Sequence, residues 1–190
     1  AVSCYPGAAP DARTPVLDGL AARGVRFDRV WSNPACSPTR ATVLTGRYGF
    51  RTGVGSVKSL GSGGLRPEEV SLAESLRRER PGLRTAFLGK WHLGPTEEQG
   101  PVAQGFERFR GTSGNLRVKT RPRPYFEYDE RSGRSTETST RERYATSAVV
   151  DDALEAIREF GPDPWLVIAS FHAAHTPFHE PPEALHSRTL

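Results

Sequence analysis

Residues 144–171 read YATSAVVDDALEAIREFGPDPWLVIASF, and two periodicities meet within them. Ala145, Val149, Ala153, Ile157 and Phe160 recur at helical spacing, which predicts a helix from about Tyr144 to Phe160 with one apolar face. Trp165-Leu166-Val167-Ile168-Ala169-Ser170-Phe171 then forms an unbroken, mostly apolar run, the pattern of a strand buried on both faces. A helix feeding such a strand is the building unit of a parallel sheet.

The same unit recurs twice upstream. Thr14 can cap a helix that has Pro15 in its first turn, Val16, Leu17, Leu20 and Ala21 on its apolar face, and Gly24 as its stop. Val25, Phe27, Arg29 and Trp31 alternate with Arg26, Asp28 and Val30, predicting a strand from about 25 to 31. After a loop to Cys36, Ser37-Pro38 opens a further helix that ends at Gly46. The next unit is a helix from Pro67, acidic at its start (Glu68, Glu69) and basic at its end (Arg77, Arg78, Arg80), which suits the helix dipole. Pro81-Gly82 then turn the chain into a strand around Leu83 to Leu88, which delivers the loop Gly89-Lys90-Trp91-His92-Leu93-Gly94. Helices alternating with strands predict an α/β fold, a mostly parallel sheet flanked by helices, whose ligands sit beyond the carboxyl ends of the strands. Cys36, Lys90, His92 and His175 all fall there. Residues 95–143, rich in Gly, Pro, Ser, Thr and Arg, read as a loop that shapes the pocket rim.

The 190 residues suffice for one domain with a real core, and 36% hydrophobic with 25% charged residues excludes a disordered tail or a fibre. No run approaches the ~18 apolar residues of a membrane span, and the first residues lack the basic start and apolar core of a signal peptide. The compartment stays open. The net charge of +4 comes from arginine, with Lys58, Lys90 and Lys119 the only lysines among 26 basic residues. These arginines are scattered among acids rather than blocked together, which argues against a nucleic-acid partner. Cys4 and Cys36 could form one disulfide, but two cysteines do not make a stapled secreted scaffold. There is no Met, even at position 1, and the chain stops soon after a Pro-rich loop. Both ends of residues 1–190 are therefore expected to be cuts.

Cys36-Ser37-Pro38-Thr39-Arg40, followed by Leu44-Thr45-Gly46-Arg47, is the sharpest motif. A cysteine just before a helix start faces unpaired N–H groups that favour an anion in front of it. This stretch resembles the signature of the type I sulfatases, the arylsulfatase-like enzymes in which that cysteine is oxidised to formylglycine. Arg13-Thr14-Pro15-Val16-Leu17-Asp18 with Gly24-Val25-Arg26-Phe27 is similar to the segment before the signature, and residues 89–94 to the second motif. Gly105-Phe106-Glu107-Arg108-Phe109 and the run from Tyr144 to His175-Thr176-Pro177-Phe178 also match in order and rough spacing.

The resemblance implies an alkaline-phosphatase-like fold and a sulfuric ester hydrolase acting on a sulfated small molecule or glycan. It implies that Arg40 steadies the hydrated aldehyde, and that Lys90 binds the sulfate and the formylglycine oxygen. His92 would hydrogen-bond the hydrate and help its breakdown, while His175 would bind substrate and donate a proton to the leaving oxygen. Ca2+ is implied as cofactor, with Cys36 as formylglycine among its ligands and the carboxylates outside these residues, and a formylglycine-generating enzyme as partner; residues 1–190 are then expected to be part of one catalytic domain, lacking its first strand and C-terminal part and inactive alone. A phosphonate or phosphodiester hydrolase, or a noncatalytic remnant that binds sulfated glycans, are the alternative readings. His172, His175 and His179 invite a zinc site, but Pro177 interrupts the helix that would align them, leaving His172 and His179 structural or on the rim. Asp151-Asp152 lies within a helix pattern and is expected to be solvated or internally paired rather than metal-bound.

Overall fold

The computed structural model describes residues 2–9, 12–57, 64–117 and 123–186; Lys58, Lys119 and the last four residues lie outside them. The chain divides into two compact units, Ala1–Asn33 and Pro34–Leu190.

The first unit contains one helix, α1 (Pro15–Arg23), with no buried residue. Thr14 does not cap it by a side-chain bond to a helix N–H. Its Oγ1 instead donates to Asp18 (3.0 Å) and accepts from the Ser3 amide (2.9 Å), and the Ser3 hydroxyl donates to Asp18 (2.7 Å). The strand expected at 25–31 does not form. Alternation makes a strand only where a neighbour supplies the other half of the ladder, and among the described residues of this unit none does. Val25, Phe27, Val30 and Trp31 are exposed, and the Arg26 guanidinium bonds to Asp28 and the Cys4 carbonyl.

The second unit is built on a five-stranded sheet. Its strands are β1 (Arg84–Lys90), β2 (Arg108–Thr112), β3 (Glu127–Ser132), β4 (Ser139–Glu142) and β5 (Trp165–Ser170), in the order β4-β3-β2-β1-β5. β1 pairs in parallel with β2 and with β5; β2–β3 and β3–β4 are antiparallel. The sheet is thus mixed, and its parallel half carries the candidate site. Three of the expected loop residues' own strands, β2 to β4, lie inside 95–143. Their polarity hid them: buried Glu130 on β3 binds Arg110 of β2 (2.7 Å) and Arg141 of β4 (3.0 Å), so charged side chains fill inward positions.

Helix α2 (Cys36–Thr45) ends where Gly46 takes the left-handed conformation, followed by a short helix, α3 (Gly49–Thr52). Helix α4 (Leu72–Glu79) starts later than Pro67 because Ser71 and Glu74 form a reciprocal capping box. Helix α5 (Ala145–Phe160) lies over β1, packing Val149, Ala153, Ala156 and Phe160 onto Ala86 and Leu88. The opposite face of β1 presents Phe87 to Trp91, Phe106 and Phe109, in a core that also includes Ala41 and Leu44 of α2. β1 is therefore covered on both faces, as a central parallel strand must be. Asp152 is buried on α5 and takes both terminal nitrogens of Arg141 (2.6 and 3.0 Å), while Asp151 pairs with Arg143 at the surface. Burial works against the charged Arg141, but its bonds to Asp152 and Glu130 outweigh that and hold it above the ordinary arginine value.

Gly89 sits in β1 at φ +97°, where a Cβ would lie 2.2 Å from the Ser170 carbonyl oxygen of β5. Gly89→Ala combines a backbone strain of about 1–3 kcal/mol with a clash against a neighbouring strand. Thermal unfolding should register a loss of at least that size, and an unchanged midpoint would refute this packing.

Candidate active site

Cys36 is the first residue of α2, preceded by extended Ala35, which offers no side-chain cap to the helix N–H groups. Its Sγ lies 3.2 Å from Nδ1 of His92. Arg40, four residues on, shares the same face of the helix. One of its terminal nitrogens donates to the Lys90 carbonyl (2.6 Å) and to the Ser170 hydroxyl (2.6 Å), and that hydroxyl donates to the same carbonyl (2.8 Å). Lys90 ends β1, buried, with its ammonium donating to Oδ1 of Asn115.

The loop after β1 is held by main-chain bonds from Trp91 N–H to Thr112 (2.9 Å) and from His92 N–H to Ser113 (3.2 Å), and the Trp91 indole N–H donates to the Gln99 carbonyl (2.7 Å). These bonds keep His92 at φ +60°, a left-handed conformation that a side chain adopts only when its surroundings dictate it. Burial, then the positive charges of Lys90, Arg40, His175 and Arg117, push the His92 imidazole down to about 4. His92 is consequently neutral across the physiological range.

Burial lowers both Lys90 and Arg40 from their ordinary values. Among the described residues the neighbour that favours their charged forms is Cys36, and no carboxylate does so. Two cations withdrawn from water without an acid partner form a receptor for an external anion.

The three histidines of the 172–179 segment point to different partners. Thr112 donates its hydroxyl proton to the Gly114 carbonyl (2.7 Å), so the 2.8 Å contact to His172 requires Nε2 of that histidine to donate. His172 is buried, and burial followed by the charges of Lys90 and Arg40 pushes it down to about 3. Nδ1 of His175 lies 2.8 Å from the Thr176 carbonyl, an acceptor, so Nδ1 carries the hydrogen and Nε2 is left for other chemistry. His179 stacks on Tyr125 and contacts the Tyr144 hydroxyl (3.2 Å). Among the described residues no group of three or more His, Cys, Asp or Glu side chains could hold a metal ion. The described residues therefore provide neither a zinc site nor the carboxylate cage that calcium needs. Both cysteines are free. No described helix is long and apolar enough to cross a membrane.

Cys36, Arg40, Lys90 and His92 thus meet at one end of the parallel strands, and His175 is near enough to act on His92 electrostatically. Sequence reasoning missed Asn115 and Ser170. Their signal was position alone, at or just beyond the carboxyl ends of β2 and β5.

Residues 1–188 match the protein-family model described as Sulfatase. Steryl-sulfatase of Rattus norvegicus is 42% identical over 120 residues, covering 55% of this chain and 20% of that protein. Human N-acetylgalactosamine-6-sulfatase is 31% identical over 189 residues, covering 88% of this chain and 36% of that protein. The chain thus spans about a fifth to about a third of these relatives' length. Among solved structures, the Bacteroides fragilis protein yidJ superposes with a TM-score of 0.70 at 20% identity, covering 87% of this chain and 40% of that one, and has the same fold.

The depressed histidines make stability depend on pH. Their folded values, about 4 and about 3, lie below the 6.5 of an unperturbed imidazole, so between pH 6.5 and 4 the unfolded chain binds protons that the folded one refuses. Stability is complete above pH 6.5 and declines as pH falls through that window. Thermal midpoints should decrease from pH 7 to pH 4, with a shallower slope in His172→Gln; equal slopes would refute a neutral buried His172.

Proposed function

The chain belongs to the sulfatase family, and from that premise we propose that the protein it comes from hydrolyses sulfate monoesters at Cys36, Arg40, Lys90, His92 and His175. The observation that carries this reading is the pair of cations, buried Lys90 and half-buried Arg40, set beside Cys36 with no carboxylate among the described residues to neutralise them. A sulfate group supplies the missing negative charge. As charge builds on the transferring group, Lys90 is already in place and no solvent has to reorganise.

Formylglycine made from Cys36 supplies a hydrated aldehyde, whose hydroxyl is a nucleophile that can also release sulfate, as a thiol cannot. The setting of Cys36 suits it: a helix start with unpaired N–H groups, a neutral imidazole at 3.2 Å, and two cations nearby. Neutral His92 accepts or donates one proton at position 36. Arg40, fixed by the Lys90 carbonyl and Ser170, steadies the oxygen atoms there. Protonated at both ring nitrogens, His175 keeps its Nδ1–H on the Thr176 carbonyl and gives the Nε2 proton to the departing alcohol, ending as the neutral Nδ1–H imidazole. The family generally uses calcium, but the described residues do not provide its ligands, and no step here depends on it.

The substrate class is a sulfated small molecule, and a sulfated sugar is favoured. A cavity of about 270 Å3 adjoins the site, lined by Asn115, Arg117, Asp129 and Arg131 among others, and hydroxyl-rich groups suit such polar walls. One relative is named for a sugar sulfate. A formylglycine-generating enzyme is the required partner, and both units are read as parts of one catalytic domain because the family match crosses both.

The test uses the full-length protein co-expressed with the converting enzyme. Peptide mass should identify formylglycine at residue 36, and 4-nitrophenyl sulfate should be turned over. Cys36→Ala and Lys90→Ala should each lower kcat at least about a hundredfold. Faster turnover of a phosphonate ester, or an unconverted Cys36 in a protein that binds sulfated glycans without cleaving them, would overturn the reading.

A further inference from the structure

We propose that Tyr125 is a positioning residue that sets where His175 presents its proton, a role that rests on the reading of His175 as the general acid. His175 is exposed, and among the described residues its imidazole hydrogen-bonds only to adjacent Thr176. Packing therefore does not fix the ring. Its place is dictated by the main chain of the turn that carries it, which is closed by the His175 N–H donating to the His172 carbonyl at 2.8 Å.

Tyr125 grips that turn from outside. Its hydroxyl lies 2.7 Å from the His175 carbonyl and 3.0 Å from the His172 carbonyl, so one O–H is shared between both ends of the turn. The ring is 1% exposed. It stacks on His179 with centroids 3.7 Å apart and meets His172 edge-on at 6.5 Å, so it touches the segment before and after His175. His172 is itself fixed by its bond to Thr112 at the end of β2. Tyr125 comes from the stretch between β2 and β3. Burial, with the nearby Tyr144, holds its phenol above the ordinary value, so the hydroxyl keeps its proton and stays a donor. A hydroxyl that clamps two carbonyls flanking an otherwise loosely held acid acts on the proton's position, not on the anion's binding.

Leaving-group dependence separates this role from simple core filling. Nitrophenolate departs without needing a proton, whereas a sugar or alkyl alkoxide does not, so a misplaced acid penalises the second far more. In the full-length, converted enzyme, Tyr125→Phe removes only the hydroxyl. The expected result is a fall in kcat of about tenfold or more on an alkyl sulfate, a smaller fall on 4-nitrophenyl sulfate, and KM little changed. Both rates are taken on one sample, so loss of folded enzyme cancels in their ratio. His175→Ala, run in parallel, should shift the ratio in the same direction and further.

Equal losses on both substrates in Tyr125→Phe, with a selective loss in His175→Ala, would overturn the positioning role alone. Equal losses in His175→Ala would remove the proton-donor reading and this proposal together. Should Tyr125→Phe fail to fold, a fluorinated tyrosine at position 125 whose phenol ionises within the assay range keeps the ring in place. The alkyl-to-aryl ratio should then drop as pH rises through that ionisation, because phenolate cannot donate. A flat ratio would overturn the proposal.

Discussion

The carbonyl oxygen of Lys90 accepts from both the Arg40 guanidinium and the Ser170 hydroxyl, and those two donors also bond to each other. One oxygen thereby ties α2, β1 and β5 together at the point where all three deliver chemistry. Each element alone could place its residue only to within the freedom of a loop. Sharing the acceptor removes that freedom, because moving any one element breaks a bond made by another. It also leaves the Lys90 ammonium free of its own main chain and directed to Asn115, beyond β2. Gly89 makes this possible, since β1 and β5 approach so closely there that no side chain fits.

The electrostatics follow from that construction. Arg40 is held by the Lys90 carbonyl and the Ser170 hydroxyl, and the Lys90 ammonium by the Asn115 amide oxygen, neutral acceptors that satisfy hydrogen bonds without cancelling charge. Carboxylates would have held them as well but would have filled the site with the wrong sign. Burial, reinforced by the field of the two cations, then keeps His92 and His172 neutral. The buried acids of this unit are spent elsewhere, Glu69 on Arg47 and Arg66, and Glu130 and Asp152 in the Arg110–Glu130–Arg141–Asp152 cluster between the antiparallel strands and α5. Buried charge thus occurs both in closed networks that neutralise themselves, one of which ties the antiparallel strands to α5, and at the Lys90–Arg40 pair, which no carboxylate among the described residues neutralises.

The parts of this arrangement legible in the sequence were those with a local signal. Helix α5 and strand β5 followed from periodicity, α2 from Pro38 and Gly46, and the site from a cysteine signature and the Lys90–His92 loop. The strand expected at 25–31 had the right alternation, but alternation carries no information about whether a partner strand stands beside it. β2 to β4 escaped for the opposite reason. Their inward positions hold Arg and Glu whose mutual pairing makes burial possible, and a pairing between residues 110, 130, 141 and 152 cannot be seen along the chain. Asn115 and Ser170 are common polar residues that matter only through the groups they meet in space.

Two halves of the site are held in different ways, and this has a chemical consequence. The half that carries the cation pair, proposed to meet sulfate, rests on regular structure: β1 inside the sheet, the start of α2, and a loop bonded to the main chain beyond β2. The half that carries His175, proposed to meet the departing alcohol, is an exposed turn. Sulfate has the same shape on every ester, so a rigid receptor costs nothing in range. The alcohol differs from one substrate to the next, and a proton donor on a turn can accommodate that variety only if something sets its average position. On the proposed reading, the cation pair governs whether a sulfate ester is accepted at all, while the contacts around the 172–179 segment govern which alcohol leaves with a proton.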